Sequence, residues 1–115
     1  MSFISLVFKQ PFVLLLLLLM LTTTESQAEP LTTERKSTLI HLLKQDCGSC
    51  HGMTLKGGLG PALTVEQMKD KPVEYLQNII LNGRAGTAMP PWKSILTEQE
   101  ALWISQQLLA GINNE

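Results

Sequence analysis

The sequence Cys47-Gly48-Ser49-Cys50-His51 contains the only two cysteines of the 115-residue chain, and a histidine directly follows the second. This is the C-x-x-C-H pattern of covalent haem attachment. On one helical turn, positions i, i+3 and i+4 share a face, so both thiols and the imidazole point in the same direction. The thiols can then form thioethers with the two haem vinyl groups, while His51 ligates the iron. The motif therefore predicts one covalently bound haem c.

Three other interpretations of the cysteine pair explain less of the sequence. A thioredoxin-like redox pair is expected within a βαβ pattern, and the sequence shows no such pattern. Half of a structural zinc site would need a second pair of ligands, which the sequence lacks. A plain disulfide would leave His51 without a role. Haem attachment explains the histidine and also agrees with an export signal at the N-terminus.

The N-terminus has the three parts of a secretory signal. One basic residue, Lys9, precedes an unbroken run of ten apolar residues at positions 12–21. A polar stretch then ends in Ser26-Gln27-Ala28, with small residues at positions −3 and −1 of a cut before Glu29. An uncleaved membrane anchor is the alternative, but the apolar run is shorter than the ~20 residues that span a bilayer. We therefore expect cleavage and export to the periplasm.

Cleavage would divide the chain into a signal peptide at residues 1–28 and one small monohaem domain at residues 29–115. A domain of this size usually needs a covalent or cofactor staple, and a haem would form a large part of its core. The whole chain has a formal net charge of −1 at pH 7. This balance lacks the basic footprint of a nucleic-acid-binding protein, so no nucleic-acid partner is expected.

Apolar periodicity and capping signals predict an all-α domain. Leu39, Leu42 and Leu43 follow 3–4 spacing in a helix that starts after a threonine cap and continues into the haem motif. Capping boxes begin at Thr64 and Thr97. No stretch alternates like a half-buried strand. The predicted helices cover about residues 34–51, 65–70, 72–82 and 98–110, with Pro72 as the first residue of the third helix. Tyr75 is predicted in the core, with the haem edge as the alternative.

The iron needs a second axial ligand, and the mature chain offers three methionines. Met53 is two residues from His51, so it stays on the same side of the ring. Met68 lies in a short capped helix, where it suits packing. Met89 lies 38 residues after His51 in a loop braced by glycines and two prolines, so it can reach the opposite face. Met89 is predicted as the sixth ligand, and a closed His/Met site favours electron transfer over catalysis.

Together these motifs resemble the class I cytochrome c family across essentially the whole mature chain. The resemblance is carried by Cys-Gly-Ser-Cys-His-Gly, Gly-Leu-Gly-Pro-Ala-Leu and Met-Pro-Pro-Trp, with a helix before the first and another after the last. It implies three to five helices around one haem, with the first and last helices packed on each other. It also implies that the carbonyl of Pro61 accepts a hydrogen bond from the free ring nitrogen of His51.

A narrower resemblance rests on Gly-Gly-Leu-Gly-Pro-Ala-Leu-Thr, Gly-Thr-Ala-Met-Pro-Pro-Trp and Leu-Thr-Glu-Gln-Glu-Ala-Leu-Trp-Ile. These stretches look like those of the small monohaem cytochromes that denitrifying bacteria encode beside cd-type nitrite reductase. The resemblance implies a periplasmic electron carrier, not an enzyme. Its redox partners would be that reductase or the enzymes that mature its haem d cofactor.

The competing hypothesis is a haem enzyme with an open distal site, performing peroxidase or nitrite chemistry. That activity requires Met89 to be unligated and a distal acid–base group to be present. The only candidate for such a group is His41, which as a lone histidine in the first helix is expected to be solvated. A thiol–disulfide oxidoreductase using Cys47 and Cys50 is a second competing hypothesis.

Overall fold

The computed structural model of the protein describes residues 29–112, so the signal peptide predicted at residues 1–28 lies outside the described part. The described part contains five α-helices, one π-helical segment and no strand, which confirms the all-α prediction. No helix within it is long and apolar enough to cross a membrane. The α-helices are α1 (Thr33–Leu42), α2 (Gly48–His51), α3 (Val65–Met68), α4 (Val73–Asn82) and α5 (Glu98–Ala110).

The first helix runs into the C-x-x-C-H motif, as predicted, but its geometry changes on the way. Thr32 caps α1, because its hydroxyl oxygen accepts a hydrogen bond of 3.1 Å from the backbone N–H of Arg35. Between α1 and α2 the residues Leu43–Cys47 form a π-helical turn. A π turn holds more residues than an α turn, so it rotates the motif relative to the apolar face of α1.

The core lies where the first and last helices meet. Leu39 and Leu43 from the first helical run join Ile104 and Leu108 of α5 in one buried cluster. This is the pairing of terminal helices that the family resemblance implied. Helix α5 also packs along α4. The two helices are joined by a hydrogen bond of 2.9 Å from the Gln77 amide to the carbonyl of Glu98.

The capping predictions have mixed outcomes. The box at Thr97 forms, with the Thr97 hydroxyl accepting from the Glu100 N–H and the Glu100 carboxylate accepting from the Thr97 N–H. The box at Thr64 was wrong, because its side chain makes no capping bond and Gln67 lines the central cavity instead. Pro72 precedes the first residue of α4, because its own backbone is extended at ψ 141°.

Glu100 joins α1 to α5. Its side chain is buried, and the guanidinium of the half-exposed Arg35 donates a hydrogen bond to it. That bond, together with the N–H of Thr97, lowers the pKa of the Glu100 carboxyl below its usual range. The same contact raises the pKa of Arg35. A charge-assisted hydrogen bond to a buried group thus connects the two helices that form the core.

We expect Glu100→Gln to lower the thermal midpoint at pH 7 by a few degrees and to flatten its dependence on acid pH. Because the pKa of Glu100 is lower in the folded chain, its contribution to the free energy of unfolding is present above about pH 4.3, the usual glutamate pKa. That contribution is lost as the pH falls through the lowered value. Thermal melts of the holoprotein from pH 7 to pH 3 measure the effect.

The matched control is Glu98→Gln, which removes a carboxylate from the same first turn of α5 but not from the Arg35 contact. The control should keep the acid dependence of the wild-type protein. An equal flattening in both variants would show that helix-terminus charge, and not the Arg35–Glu100 pair, produces the effect.

Candidate functional site

A large cavity of about 540 Å³ opens among the helices. This volume is in the range of ~300–1,000 Å³ that is typical of small-molecule and cofactor sites. Its wall is mostly apolar and is formed by the first helical run, α3, α4 and α5 together with the loops between them. All five site residues predicted from the sequence line it: Cys47, Cys50, His51, Pro61 and Met89. The fold therefore brings residues from three separate segments to one enclosed surface.

His51 is mostly buried and has one fixed partner. Its Nδ1 lies 2.6 Å from the carbonyl oxygen of Pro61. Because a carbonyl only accepts, Nδ1 must carry the proton in this contact. The lone pair of Nε2 is then free to bind a metal ion, and the hydrogen bond makes the imidazole a more basic ligand. This is the geometry that the family resemblance implied for Pro61.

Glycines let the loop after the motif fold back tightly against it. A Cβ atom on Gly60 would lie 2.8 Å from both Nδ1 and Cε1 of the His51 ring. The N–H of Gly60 donates to the carbonyl of Cys50 at 2.8 Å, and the N–H of Gly57 donates to the carbonyl of His51 at 2.8 Å. On Gly58, a Cβ would come within 2.7 Å of the Cys50 carbonyl oxygen. The close approach is therefore to the motif itself.

The two cysteines face the same cavity but differ in exposure. Cys47 is partly buried, whereas Cys50 is exposed. Burial, and secondarily the charge of the neighbouring Asp46, raise the pKa of the Cys47 thiol to about 11. That thiol is therefore protonated at neutral pH in the protein chain alone. Thiol–disulfide oxidoreductases need the opposite shift, because the thiolate is the attacking species, so this geometry does not favour a redox dithiol.

The three methionines occupy different environments. Met89 is partly buried and lines the cavity from the loop after α4. Met68 also borders the cavity but belongs to the buried core cluster, in agreement with its predicted packing role. Met53 is 58% exposed and does not line the cavity. His41 is exposed and is likewise absent from the cavity wall, so it lies away from the chemistry.

The prediction that Tyr75 belongs to the core was wrong. Its side chain is 46% exposed and borders the cavity, because α4 presents this position to the rim and buries Leu76. The sequence analysis also missed two charged residues of the wall, Asp46 and Lys71, and their positions beside Cys47 and Pro72 were the available signals. Arg84, next to the methionine loop, is the third charged residue of the wall. Neither cation forms an ion pair within residues 29–112.

These features fit an iron porphyrin attached through thioethers. The wall of the cavity is mostly apolar, which suits a porphyrin ring. Two thiols, and an imidazole whose Nε2 is free, come from one helical turn. The thioether side chain of Met89 reaches the same cavity from a distant loop. The two cations at the rim suit a group that carries carboxylates. Fold and site together define a c-type cytochrome.

Comparisons with known proteins identify relatives of the chain. Residues 36–106 match the family model described as cytochrome c oxidase, cbb3-type, subunit III. The chain is 53% identical over 77 residues to cytochrome c55X of Pseudomonas aeruginosa, which covers 67% of this chain and 65% of that relative. It thus spans slightly less than two thirds of that relative. It is 48% identical over 82 residues to cytochrome c55X of Paracoccus denitrificans, covering 71% and 80% of the two chains.

A solved structure agrees with these sequence matches. The c-type cytochrome NirC superimposes with a TM-score of 0.70 at 49% identity, covering 71% of this chain and 96% of that one. The chain therefore belongs to the c-type cytochromes and is similar to the cytochromes c55X. Its cofactor is covalently bound haem c, and Cys47 and Cys50 lie in the expected C-x-x-C-H motif. The family, fold and cofactor predictions are confirmed.

Proposed function

We propose that the protein is a periplasmic one-electron carrier that serves a cd-type nitrite reductase or the maturation of its haem d cofactor. Haem c, when bound, supplies a one-electron ferric–ferrous couple. The observation that carries the proposal is the convergence of Cys47, Cys50, His51 and Met89 on one mostly apolar cavity. The relatives named cytochrome c55X and NirC support the choice of a small cytochrome over a haem enzyme.

Each site residue has a distinct task in this proposal. Cys47 and Cys50 form the thioethers that fix the macrocycle in the cavity. The Nε2 of His51 ligates the iron, and the carbonyl of Pro61 keeps the imidazole in the required tautomer. The Met89 thioether would be the second protein ligand of the iron and would raise its reduction potential. With His51 and Met89 both bound to the iron, the haem would exchange electrons without substrate binding at the metal.

The acid–base group that the sequence offered to an enzyme with an open distal site lies outside the cavity wall. Such an enzyme would need a distal acid–base group aimed at a bound substrate. His41, the candidate from the sequence, is exposed and outside the wall. Asp46 borders the cavity but directly precedes Cys47, on the segment that carries the proximal histidine. These positions favour the carrier over peroxidase or nitrite chemistry.

Replacement of Met89 by alanine should open the sixth position. We expect Met89→Ala to lose the weak near-infrared band that marks methionine–iron(III) ligation, to lower the reduction potential and to bind cyanide rapidly. Met68→Ala is the matched control, because Met68 lines the same cavity and loses the same atoms. Met68→Ala should lower the free energy of unfolding by roughly 2–5 kcal/mol, because the truncation leaves a void in the core, yet it should keep the band.

Absorption spectra of the ferric holoproteins and redox titrations distinguish the outcomes. A band that survives in Met89→Ala but disappears in Met68→Ala would identify Met68 as the iron ligand and would refute the assignment to Met89. A wild-type protein that is high-spin and binds cyanide quickly would refute the carrier and leave the open-site enzyme as the alternative.

Docking to a redox partner is supported by one unusual leucine. Leu59 borders the cavity, yet its side chain is 94% exposed. Its flanking residues are fixed, because the N–H of Gly58 donates to the carbonyl of Gly60 at 3.0 Å. This exposed apolar side chain lies between two glycines whose backbones approach the Cys50 carbonyl, so it is placed to make a transient contact beside the cavity. The proposed partner therefore presents an apolar patch near its own redox centre.

We expect Leu59→Ser to slow electron transfer to purified cd-type nitrite reductase roughly tenfold, which corresponds to ~1.4 kcal/mol of docking free energy. Ile95→Ser is the matched control, because Ile95 is 59% exposed but does not line the cavity. The Ile95→Ser variant should transfer electrons at nearly the wild-type rate. Both variants should keep a reduction potential near that of the wild-type protein. Stopped-flow kinetics measure the rates.

The choice of partner follows from the same measurement. Transfer to the reductase that Leu59→Ser leaves unchanged would contradict the docking role of Leu59, whereas transfer that is absent in the wild-type protein would contradict this partner. The purified haem d maturation enzymes would then be the acceptors to test.

Export is proposed from the N-terminal sequence, with residues 1–28 as the signal peptide and residues 29–115 as the haem domain. We expect the protein from a bacterial periplasmic fraction to begin at Glu29, because the cut follows Ser26-Gln27-Ala28. N-terminal sequencing and intact mass of the haem-bound protein check this. Recovery only in the membrane fraction with residue 1 retained would contradict cleavage and support an anchor.

A further inference from the structure

The backbone of Met89 is held by a closed set of hydrogen bonds within its own loop. The N–H of Arg84 donates to the carbonyl oxygen of Met89 at 3.3 Å. The N–H of Met89 points to the hydroxyl oxygen of Thr87 at 3.3 Å, and that hydroxyl donates to the carbonyl of Arg84 at 2.7 Å. Both polar backbone groups of Met89 are therefore satisfied inside six residues of chain. We call Arg84, Thr87 and Met89 the Met89 latch.

Gly83 connects the end of α4 to this latch. Its N–H donates to the carbonyl of Ile79 at 2.8 Å, and its φ of +70° lies in the left-handed region. A Cβ on Gly83 would lie 2.7 Å from the carbonyl oxygen of Met89 and 2.9 Å from the carbonyl carbon of Pro90. These are backbone atoms, which cannot turn away as a flexible side chain could. Any side chain at position 83 must therefore displace the methionine segment.

The chain after the latch cannot absorb such a displacement. Pro90 and Pro91 restrict the backbone immediately after Met89. The N–H of Trp92 then donates to the carbonyl of Ile80 at 3.1 Å, and the N–H of Lys93 donates to that of Leu81 at 3.1 Å. Both bonds tie the segment back to α4. A side chain at position 83 would therefore displace the backbone of Met89, because the residues that follow are held in place.

Gly86 also has a positive φ but lacks the contact. Its φ is +74°, close to that of Gly83, and it lies in the same loop. A Cβ at Gly86 would meet nothing within 4 Å. Alanine at either position pays the cost of a left-handed conformation. Only alanine at position 83 also collides with the backbone of Met89.

We propose that Gly83 is a positioning residue that sets the distance of the Met89 sulfur from the iron through the Met89 latch. The inference rests on the His51/Met89 ligation proposed above. It adds that the strength of the sulfur–iron bond depends on the close contact at Gly83 and on the Thr87 hydroxyl that bonds the loop backbone. The latch thereby tunes the reduction potential from outside the ligand set.

The test compares holoproteins of the wild type, Gly83→Ala and Gly86→Ala. We expect both variants to lose thermal stability, since both place alanine at a positive φ, and Gly83→Ala to lose more because of the backbone collision. Only Gly83→Ala should lose or weaken the near-infrared methionine–iron(III) band, bind cyanide faster and lower the reduction potential. A band and potential unchanged in Gly83→Ala, or altered equally in Gly86→Ala, would overturn the proposal.

A second pair keeps the test decisive if Gly83→Ala does not yield holoprotein. Thr87→Val removes the hydroxyl that bonds Arg84 and Met89, and Thr87→Ser restores it. Thr87 is exposed, so neither change disturbs the core. The valine variant should weaken the band and lower the potential, and the serine variant should resemble the wild type. Identical spectra in all three proteins would overturn the latch.

The failure of the latch is distinguishable from the failure of the proposed ligation. Absence of the band in the wild-type protein would refute His51/Met89 ligation, and the latch with it. A wild-type band that persists in Gly83→Ala and in Thr87→Val would refute the latch alone.

Discussion

The hydrogen bond between Nδ1 of His51 and the carbonyl of Pro61 is the contact on which the site depends. It determines which ring nitrogen is free, and it ties the helical motif to the loop that follows. The loop can reach the imidazole only because Gly60 has no side chain where a Cβ would touch the ring. A single short bond thus joins ligand orientation, ligand basicity and the path of the backbone.

The methionine side of the cavity is also held by backbone contacts, made by different groups. Backbone hydrogen bonds hold the methionine loop, and a glycine again permits an approach that no other residue could make. Both proposed axial ligands are therefore supported by main-chain atoms, which have little freedom to relax. In a domain this small, such support matters, because the apolar residues around the cavity form a large share of the core and need the cofactor to complete it.

Much of the fold and of the candidate site could be predicted from local patterns. The C-x-x-C-H motif, the capping box at Thr97 and the glycine that ends α5 each depend on residues within one or two turns, so the sequence contains their cause. The errors occurred where a side chain had two local options. Gln67 turned to the cavity instead of capping α3, and Tyr75 took the rim while Leu76 took the core. The surrounding helices decided both.

By itself the sequence determined the family, the all-α class and the covalent haem, because covalent attachment requires specific residue types at a fixed helical spacing. The sequence also predicted Met89 as the second iron ligand, and the family resemblance implied Pro61 as the hydrogen-bond partner of His51. Only the tertiary structure decided that they line the cavity that His51 faces, and that Lys71 and Arg84 border it. The π-helical turn before the motif and the contact between Gly83 and Met89 likewise appeared only in three dimensions. Such features depend on how distant segments pack, which no local periodicity records.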